Sequence, residues 1–319
     1  MRWLIDHNGS LVCKWALMCF LGAFMTACGT GIEVTEHVGE KEVKKAIEHA
    51  TNQSMVTLEA YVDSVPAWRQ GKLFKVADNQ ARLLFARSYD YDIDTVDLAG
   101  KMLSYEGYDT GGIYDNRSTV NLLFKDTNTG NTYVYRTGKT IDEFRSGFSI
   151  PMLIDMDMVN HIARQVAGKD YYIRTAIWYD RQSEQMRDGR HFIKVHVDSV
   201  LPGNAVMPLR VLFTTDDTRE KAMVWMSDNG STMHGRDFDA LFAAADPHLS
   251  YPAISDANWE LITHAKVVEG MTKEECRLAL GSPKRINEIP EQSGMREYWY
   301  YDGGAYLFFV DGMLRQFRR

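Results

Sequence analysis

Val268-Glu269-Gly270-Met271-Thr272-Lys273-Glu274-Glu275-Cys276 opens the stretch that decides how the C-terminal part of this chain folds, and an aromatic run from Tyr298 to Phe317 completes it. Thr272 stands three residues before Glu275. At that spacing hydroxyl and carboxylate each satisfy an orphan backbone N–H, so a helix starts here. It stops at Gly281, which can take a left-handed conformation, and Pro283 blocks continuation. Beyond it, Asp311-Gly312 between Val310 and Met313 signals a two-residue hairpin, and Asp302-Gly303-Gly304 a three-residue one. The register expected is Val310 with Met313, Phe308 with Arg315, Tyr306 with Phe317, Tyr300 with Tyr306 and Tyr298 with Phe308.

Alternation along those three strands sorts the side chains into two faces. One carries Trp299, Tyr301, Leu307, Phe309 and Leu314; the other Tyr298, Tyr300, Tyr306, Phe308, Val310, Met313 and Phe317. Neither is polar, so both need cover. A short helix with Asp256 as N-cap, carrying Trp259 and Ile262 one turn apart, joins the Cys276–Leu280 helix on the first face. The tyrosine-rich face must meet the rest of the chain or another protein, since tyrosine keeps a hydrated hydroxyl on an apolar ring.

The ordered set Gly270-Met271-Thr272-Lys273-Glu274-Glu275, Leu280-Gly281-Ser282-Pro283, Trp299-Tyr300-Tyr301 and Phe308-Phe309-Val310-Asp311-Gly312 resembles the SmpA/OmlA (BamE-like) family of bacterial envelope lipoproteins. The likeness covers roughly residues 254 to 317. It implies a small α+β domain, an envelope address and a role in assembly through protein contacts, but no reaction.

The N-terminus reads consistently with that address. Arg2 and Lys14 precede an apolar run, Trp15 to Ala27, that is too short to span a bilayer and has signal-peptide proportions. It ends Leu21-Gly22-Ala23-Phe24-Met25-Thr26-Ala27-Cys28, which resembles a lipobox with Met25 where leucine is usual. That resemblance implies cleavage before Cys28 and its acylation, with residues 1–27 as signal peptide and an anchor in the outer membrane facing the periplasm. Cys13 and Cys19 leave with the signal, so Cys276 is the one remaining thiol and no internal disulfide forms. Removal of Arg2, Lys14 and Asp6 makes the formal charge of −7 one unit more negative. Anionic lipid repels such a body, which leaves the lipid as a tether. Without a basic cluster, nucleic acid is not an expected partner.

The rest of the chain, taken in order, divides into a tether with N-terminal helices (28–66), two β-rich modules (67–150 and 151–246) and the C-terminal α+β domain (247–319). Val43, Ala46, Ile47 and Ala50 predict one amphipathic helix, and Leu58, Tyr61, Val62 and Val65 a second. Leu73–Val76 and Arg82–Phe85 predict a hairpin, as do Val120–Lys125 and Thr132–Tyr135. Leu98-Ala99-Gly100-Lys101 recurs as Val166-Ala167-Gly168-Lys169, Leu122–Thr127 as Val211–Asp216 and Tyr133–Tyr135 as Met223–Trp225. The offsets of 68, 89 and 90 residues come into line with one insertion of 21 in the second copy. Two tandem β-modules, each a small partly open barrel, are therefore expected. Between them Ile154 to Val166, with Met158, Ile162, Ala163 and Val166 at helical spacing, predicts a helix, and Asp237 to Ala245 another.

No catalytic, metal or cofactor site emerges. Asp90, Asp92, Asp94 and Asp97 suggest a calcium loop, but Thr95 stands where glycine is needed and Lys101 where the bidentate glutamate belongs. Asp90, Asp92 and Asp94 read as the solvated face of an edge strand. His191 and His196 are expected on opposite faces of one strand, and His161, His234, His248 and His264 lack ligand spacing. Phosphate loops and nucleophile elbows are missing, and Cys276 reads as a packing residue. The function expected is that of a non-enzymatic, lipid-anchored envelope scaffold or accessory. The alternative is a periplasmic binding or inhibitor module like the β-lactamase-inhibitor proteins.

Overall fold

The computed structural model describes residues 56–86, 93–114, 117–144, 148–228, 236–291 and 294–318. The signal segment, Cys28 and the helix expected around Val43–Ala50 lie outside them. The described chain is α+β, with few helices and three antiparallel sheets of five, seven and four strands.

The first sheet contains β1 (Leu73–Val76), β2 (Met102–Tyr114), β3 (Arg117–Asp126), β4 (Thr132–Arg136) and β5 (Leu153–Asp155), ordered β4-β3-β2-β1-β5. The expected β3–β4 hairpin forms, with Phe124 opposite Tyr133 and Lys125 opposite Thr132. Its turn is held by Asp126, which is fully buried. That carboxylate accepts from the Asn128 and Thr129 N–H groups and from Lys101 Nζ at 2.8 Å.

The hairpin expected from Leu73–Val76 and Arg82–Phe85 does not form. β1 pairs instead with β2 and β5, and Asn79–Leu84 is a 3-10 turn capped by Asp78, whose side chain accepts from the Gln80 N–H. Likewise, the helix expected over Leu58–Val65 is absent: 56–64 run without helix before a 3-10 turn at Val65–Ala67. Val62, one of its apolar positions, is 72% exposed. The backbone of Glu59 is satisfied from outside, its N–H donating to Gln165 Oε1 at 2.7 Å and its carbonyl accepting from Gln165 Nε2 at 3.1 Å.

After β5 comes α1 (Met156–Val166), two residues later than an Ile154 start, because Asp155 caps it by accepting from the Asp157 and Met158 N–H groups. The second sheet follows with β6 (Asp170–Ile173), β7 (Ile177–Tyr179), β8 (Met186–Asp188), β9 (Ile193–Pro202), β10 (Leu209–Thr215) and β11 (Lys221–Met226). The predicted helix after it shrinks to α2 (Phe238–Leu241), because Phe242–Ala243 turns into β12 against β6. The order is β12-β6-β9-β10-β11-β7-β8. One face packs on α1 through Met158, Ile162 and Val166. Trp178 and Phe213 meet edge-on in the same core.

Read from β11 to β12, the second sheet repeats the order of the first: a four-strand meander whose opening strand takes the later fifth strand on its outer side. The β7–β8 hairpin is the addition, inserted between β6 and β9 and paired beyond β11. Phe124 opposes Tyr133 and Phe213 opposes Ala222, so Ala222, rather than Met223, is the counterpart of Tyr133. The Leu98–Lys101 match falls on unlike places, between β1 and β2 in one sheet and before β6 in the other, so a single 21-residue insertion does not describe the relation. Both glycines still do one job. Gly100 and Gly168 take φ of 74° and 76°, and their N–H groups donate to Val76 and Val197 carbonyls at the start of a strand. Among the described residues neither sheet closes into a barrel.

The C-terminal unit consists of α3 (Asp256–Thr263), α4 (Lys273–Leu280), β13 (Arg285–Glu291), β14 (Gly294–Tyr300), β15 (Tyr306–Val310) and β16 (Met313–Arg318), in sheet order β13-β14-β15-β16. It has four strands where three were expected. β13 was illegible because Ile286 and Ile289 point to opposite faces, and because Pro290 is tolerated only at the sheet edge this strand forms. No described helix is long and apolar enough to cross a membrane.

Candidate functional site

The C-terminal sheet is built from its helix caps upward. Thr272 and Glu275 form the capping box of α4, and Gly281 ends it with φ 78°. Ser255, one residue before the expected Asp256, caps α3 through the Asn258 N–H. Glu275 is buried yet satisfied, accepting from Thr272 N at 2.7 Å and from Asn258 Nδ2 at 2.6 Å, which ties the two helices together. Against one face of the sheet they bury Trp259, Ile262, Met271, Cys276 and Ala279 on Trp299, Leu307, Phe309 and Leu314. Tyr301 packs at the margin of this core, its hydroxyl donating to the Gly281 carbonyl at 3.1 Å. Glu297, buried on the same side, accepts from Lys273 Nζ at 2.6 Å and from Trp299 Nε1 at 3.2 Å.

The opposite face carries the expected aromatic residues in cross-strand rows. Tyr300 pairs with Tyr306 and Tyr298 with Phe308, as the hairpin arithmetic requires. The Tyr298 and Phe308 rings stack with centroids 4.6 Å apart, and the Arg285 guanidinium from β13 lies 4.4 Å from the Tyr300 ring centre. Val310 pairs with Met313 at the Asp311-Gly312 turn. Two expected pairings change: a bulge between Phe308 and Phe309 sets Phe308 opposite Gln316 rather than Arg315, and Tyr306 opposite Arg318 rather than Phe317. The slip moves Phe317 off the tyrosine-rich face to a place opposite Leu307, where it is 40% exposed.

Tyr298, Tyr300, Tyr306, Phe308, Val310 and Met313 are half-buried, shading one another. None belongs to a core cluster. Among the described residues, the ring contacts and hydrogen bonds that join the C-terminal unit to the second sheet lie on the helix side. The His191 N–H donates to the Thr263 carbonyl at 3.0 Å, and Phe192 meets Trp259 edge-on. His191 is buried; loss of hydration outweighs its hydrogen bond and lowers its pKa, so Nε2 of the neutral ring donates to the Ile262 carbonyl. It precedes β9, whereas His196 lies within β9 and pairs with Asp170. The two therefore do not share a strand.

Other expected sites resolve simply. Cys276 is buried on α4, and burial pushes its thiol up to about 12, so it is a packing residue. Asp94 sits in a 3-10 turn at Ile93–Thr95 rather than on an edge strand, and Asp90 and Asp92 lie outside the described residues. No group of three metal-capable side chains occurs among the described residues.

The sequence missed one cluster altogether. Lys72, its side chain 3% exposed, places Nζ 3.0 Å from Asp63, 2.8 Å from Asp155 and 2.9 Å from Asp157, and donates to the Tyr61 hydroxyl at 2.8 Å. The rings of Tyr61, Trp68 and Phe74 surround the ammonium within 5.3 to 5.8 Å. Loss of hydration is the largest influence on this lysine, yet its bonds to Asp155, Tyr61 and Asp157 outweigh it and hold the pKa above the ordinary value. Burial raises that of Asp155. Beside the cluster a cavity of about 580 Å³ opens between the first two sheets, lined by Trp68, Phe148, Ile150, Asn204 and Val206 among others. Nothing near Lys72 in the sequence signals this, because Asp155 ends β5 and Asp157 begins α1, beyond the expected module boundary at 150, which the pairing of β5 with β1 crosses.

Comparison with known protein families, curated proteins and solved structures finds no match to this chain.

Proposed function

We propose that the protein is a non-enzymatic, lipid-anchored envelope lipoprotein. It is tethered through Cys28 to the outer membrane, faces the periplasm, and acts as a scaffold or accessory in envelope assembly by docking another protein on the face of Tyr298, Tyr300, Tyr306, Phe308 and Met313. The observation that carries this reading is the aromatic face itself. Its own helices bury one side of the sheet, and no described contact covers the other. Half-exposed tyrosines around a stacked pair suit an interface, since the rings offer apolar area and the hydroxyls stay hydrated. The lipobox-like run ending at Cys28 and the ordered SmpA/OmlA-like motifs support the address. In this reading the first two sheets are two copies of one module, a proposal supported by their shared strand order.

A photocrosslinker in place of Tyr298 should yield an adduct with an envelope protein. Crosslinks confined to the chain itself would count against the docking role. Cys28→Ala should release the protein from membranes, and persistent association would sink the tether. One observation favours the alternative, a periplasmic binding or inhibitor module: the cavity between the first two sheets has the volume of a small-molecule site. Stoichiometric binding of a soluble ligand or enzyme, abolished by Trp68→Ala, would shift the assignment to it.

A further inference from the structure

We infer that the tyrosine-rich face takes an acidic, extended segment of its protein partner, whose carboxylates meet Arg285 and Arg318. The inference rests on the docking role proposed above and narrows it.

Cross-strand partners share a face. Arg285 pairs with Tyr300, Tyr300 with Tyr306 and Tyr306 with Arg318, so one row runs arginine, tyrosine, tyrosine, arginine across all four strands. Arg296, opposite Val310, adds a third cation to the same face. Glu288 and its partner Glu297 fall on the other face, where Glu297 is buried with Lys273, and Glu291, opposite Gly294 at the far end of β13, is the one acidic register position on the arginine face among these pairs. A chain with a formal charge of −7 therefore sets three arginines against one acidic register position on this aromatic face. Among the described residues neither Arg285 nor Arg318 has a carboxylate partner. The Arg285 guanidinium lies 4.4 Å from the Tyr300 ring centre, and an arginine over an aromatic ring can still fork its N–H groups onto a carboxylate.

Size selects the form of the partner. Three strand spacings make the row about 14 Å wide, and the longest strands, β13 and β14, make the face about 20 Å deep. That is well below the roughly 800 Å² a globular partner contributes to a standard interface. It fits a single strand or loop that alternates carboxylates over the arginines with apolar side chains over the Tyr298–Phe308 stack. Three cations without a basic groove are too few for a nucleic-acid strand.

The test titrates the full-length purified protein with fluorescent peptides alternating glutamate with valine or tyrosine, with matched glutamine and lysine peptides, and with an oligothymidylate. The acidic peptide should bind best, more weakly as salt rises. The double variant Arg285→Glu, Arg318→Glu should weaken it about tenfold or more, two surface charge pairs being lost, while Arg285→Lys with Arg318→Lys keeps most of the affinity. Both positions lie on the sheet surface, and an unchanged thermal melt confirms folding. Equal binding of the glutamine peptide, tighter binding of the oligothymidylate, or indifference to charge reversal would overturn the inference. If a crosslinker at Tyr298 captures a partner through a neutral or basic segment, this inference fails and the docking role stands; if it captures nothing and no peptide binds, both fail.

Discussion

Replacing Lys72 with methionine removes the one cation among three carboxylates while keeping most of the apolar stem. Asp63 and Asp155 have side chains 21% and 19% exposed, and Asp157 57%. Deleting one partner of a buried ion pair costs roughly 3 to 5 kcal/mol, because the remaining charge stays desolvated and unpaired. Solvent around Asp157 relieves part of this, so about 3 kcal/mol is expected, a fall of roughly 12 °C or more in melting temperature for a module of this size. The cost should depend on pH in a definite direction. Burial already raises the Asp155 pKa, and losing Lys72 raises it further, above the ordinary carboxylate range of the unfolded chain. Such a group penalises the folded state where it is ionised, and the penalty fades as pH falls through the folded pKa. Urea unfolding of parent and variant at pH 7 and pH 4.5 should show the difference shrinking at the lower pH, and Asp155→Asn added to the variant should restore part of the loss. A difference below about 1 kcal/mol, or one equal at both pH values, would refute the view of Lys72 as the neutralising centre of this junction.

Three further outcomes follow from other parts of the molecule. Burial alone would raise the Asp126 pKa, but the bonds from Lys101, Asn128 and Thr129 more than reverse that and hold it at about 2, against an ordinary 3.8. Its roughly 2 kcal/mol is therefore present above pH 4 and lost as pH falls toward 2, and Asp126→Asn should flatten that part of an acid titration followed by tryptophan fluorescence. Gly189 faces Trp178 so closely that an added Cβ would sit 2.1 Å from its ring. Gly189→Ala should cost about 3 kcal/mol by overpacking, and wild-type stability in denaturant would contradict the contact. Cys276, its thiol pushed up to about 12, should resist alkylation at pH 8 in the folded protein and react fully in denaturant.

The C-terminal unit was legible because its signals are local. The Thr272–Glu275 capping box, the Gly281 stop, and the turns at Asp302–Gly304 and Asp311–Gly312 act within a few residues, and all form. The bulge that turned Phe317 away is a one-residue choice that alternation cannot reveal, and β13 hid behind Pro290 and two isoleucines out of phase. The first module was harder to read. β1 finds its partners in β2 and β5 rather than in the nearest apolar run, so the Arg82–Phe85 hairpin was a local answer to a non-local question. The same holds for Lys72, whose carboxylates arrive from Asp63 before β1 and from Asp155 at the end of β5, and for residues 56–64, which follow the side chains of α1 instead of their own helical spacing.

On the proposed docking role, the tyrosine-rich face is open in the isolated protein and covered in the envelope. Hydroxyl-radical footprinting with mass spectrometry, run on the purified protein and on intact cells, tests it directly. Tyr298, Tyr300 and Tyr306 should be labelled readily in the purified protein and several-fold less in cells, while Tyr108, 46% exposed on the first sheet, reacts alike in both. Equal labelling of the three tyrosines in both settings would contradict the claim.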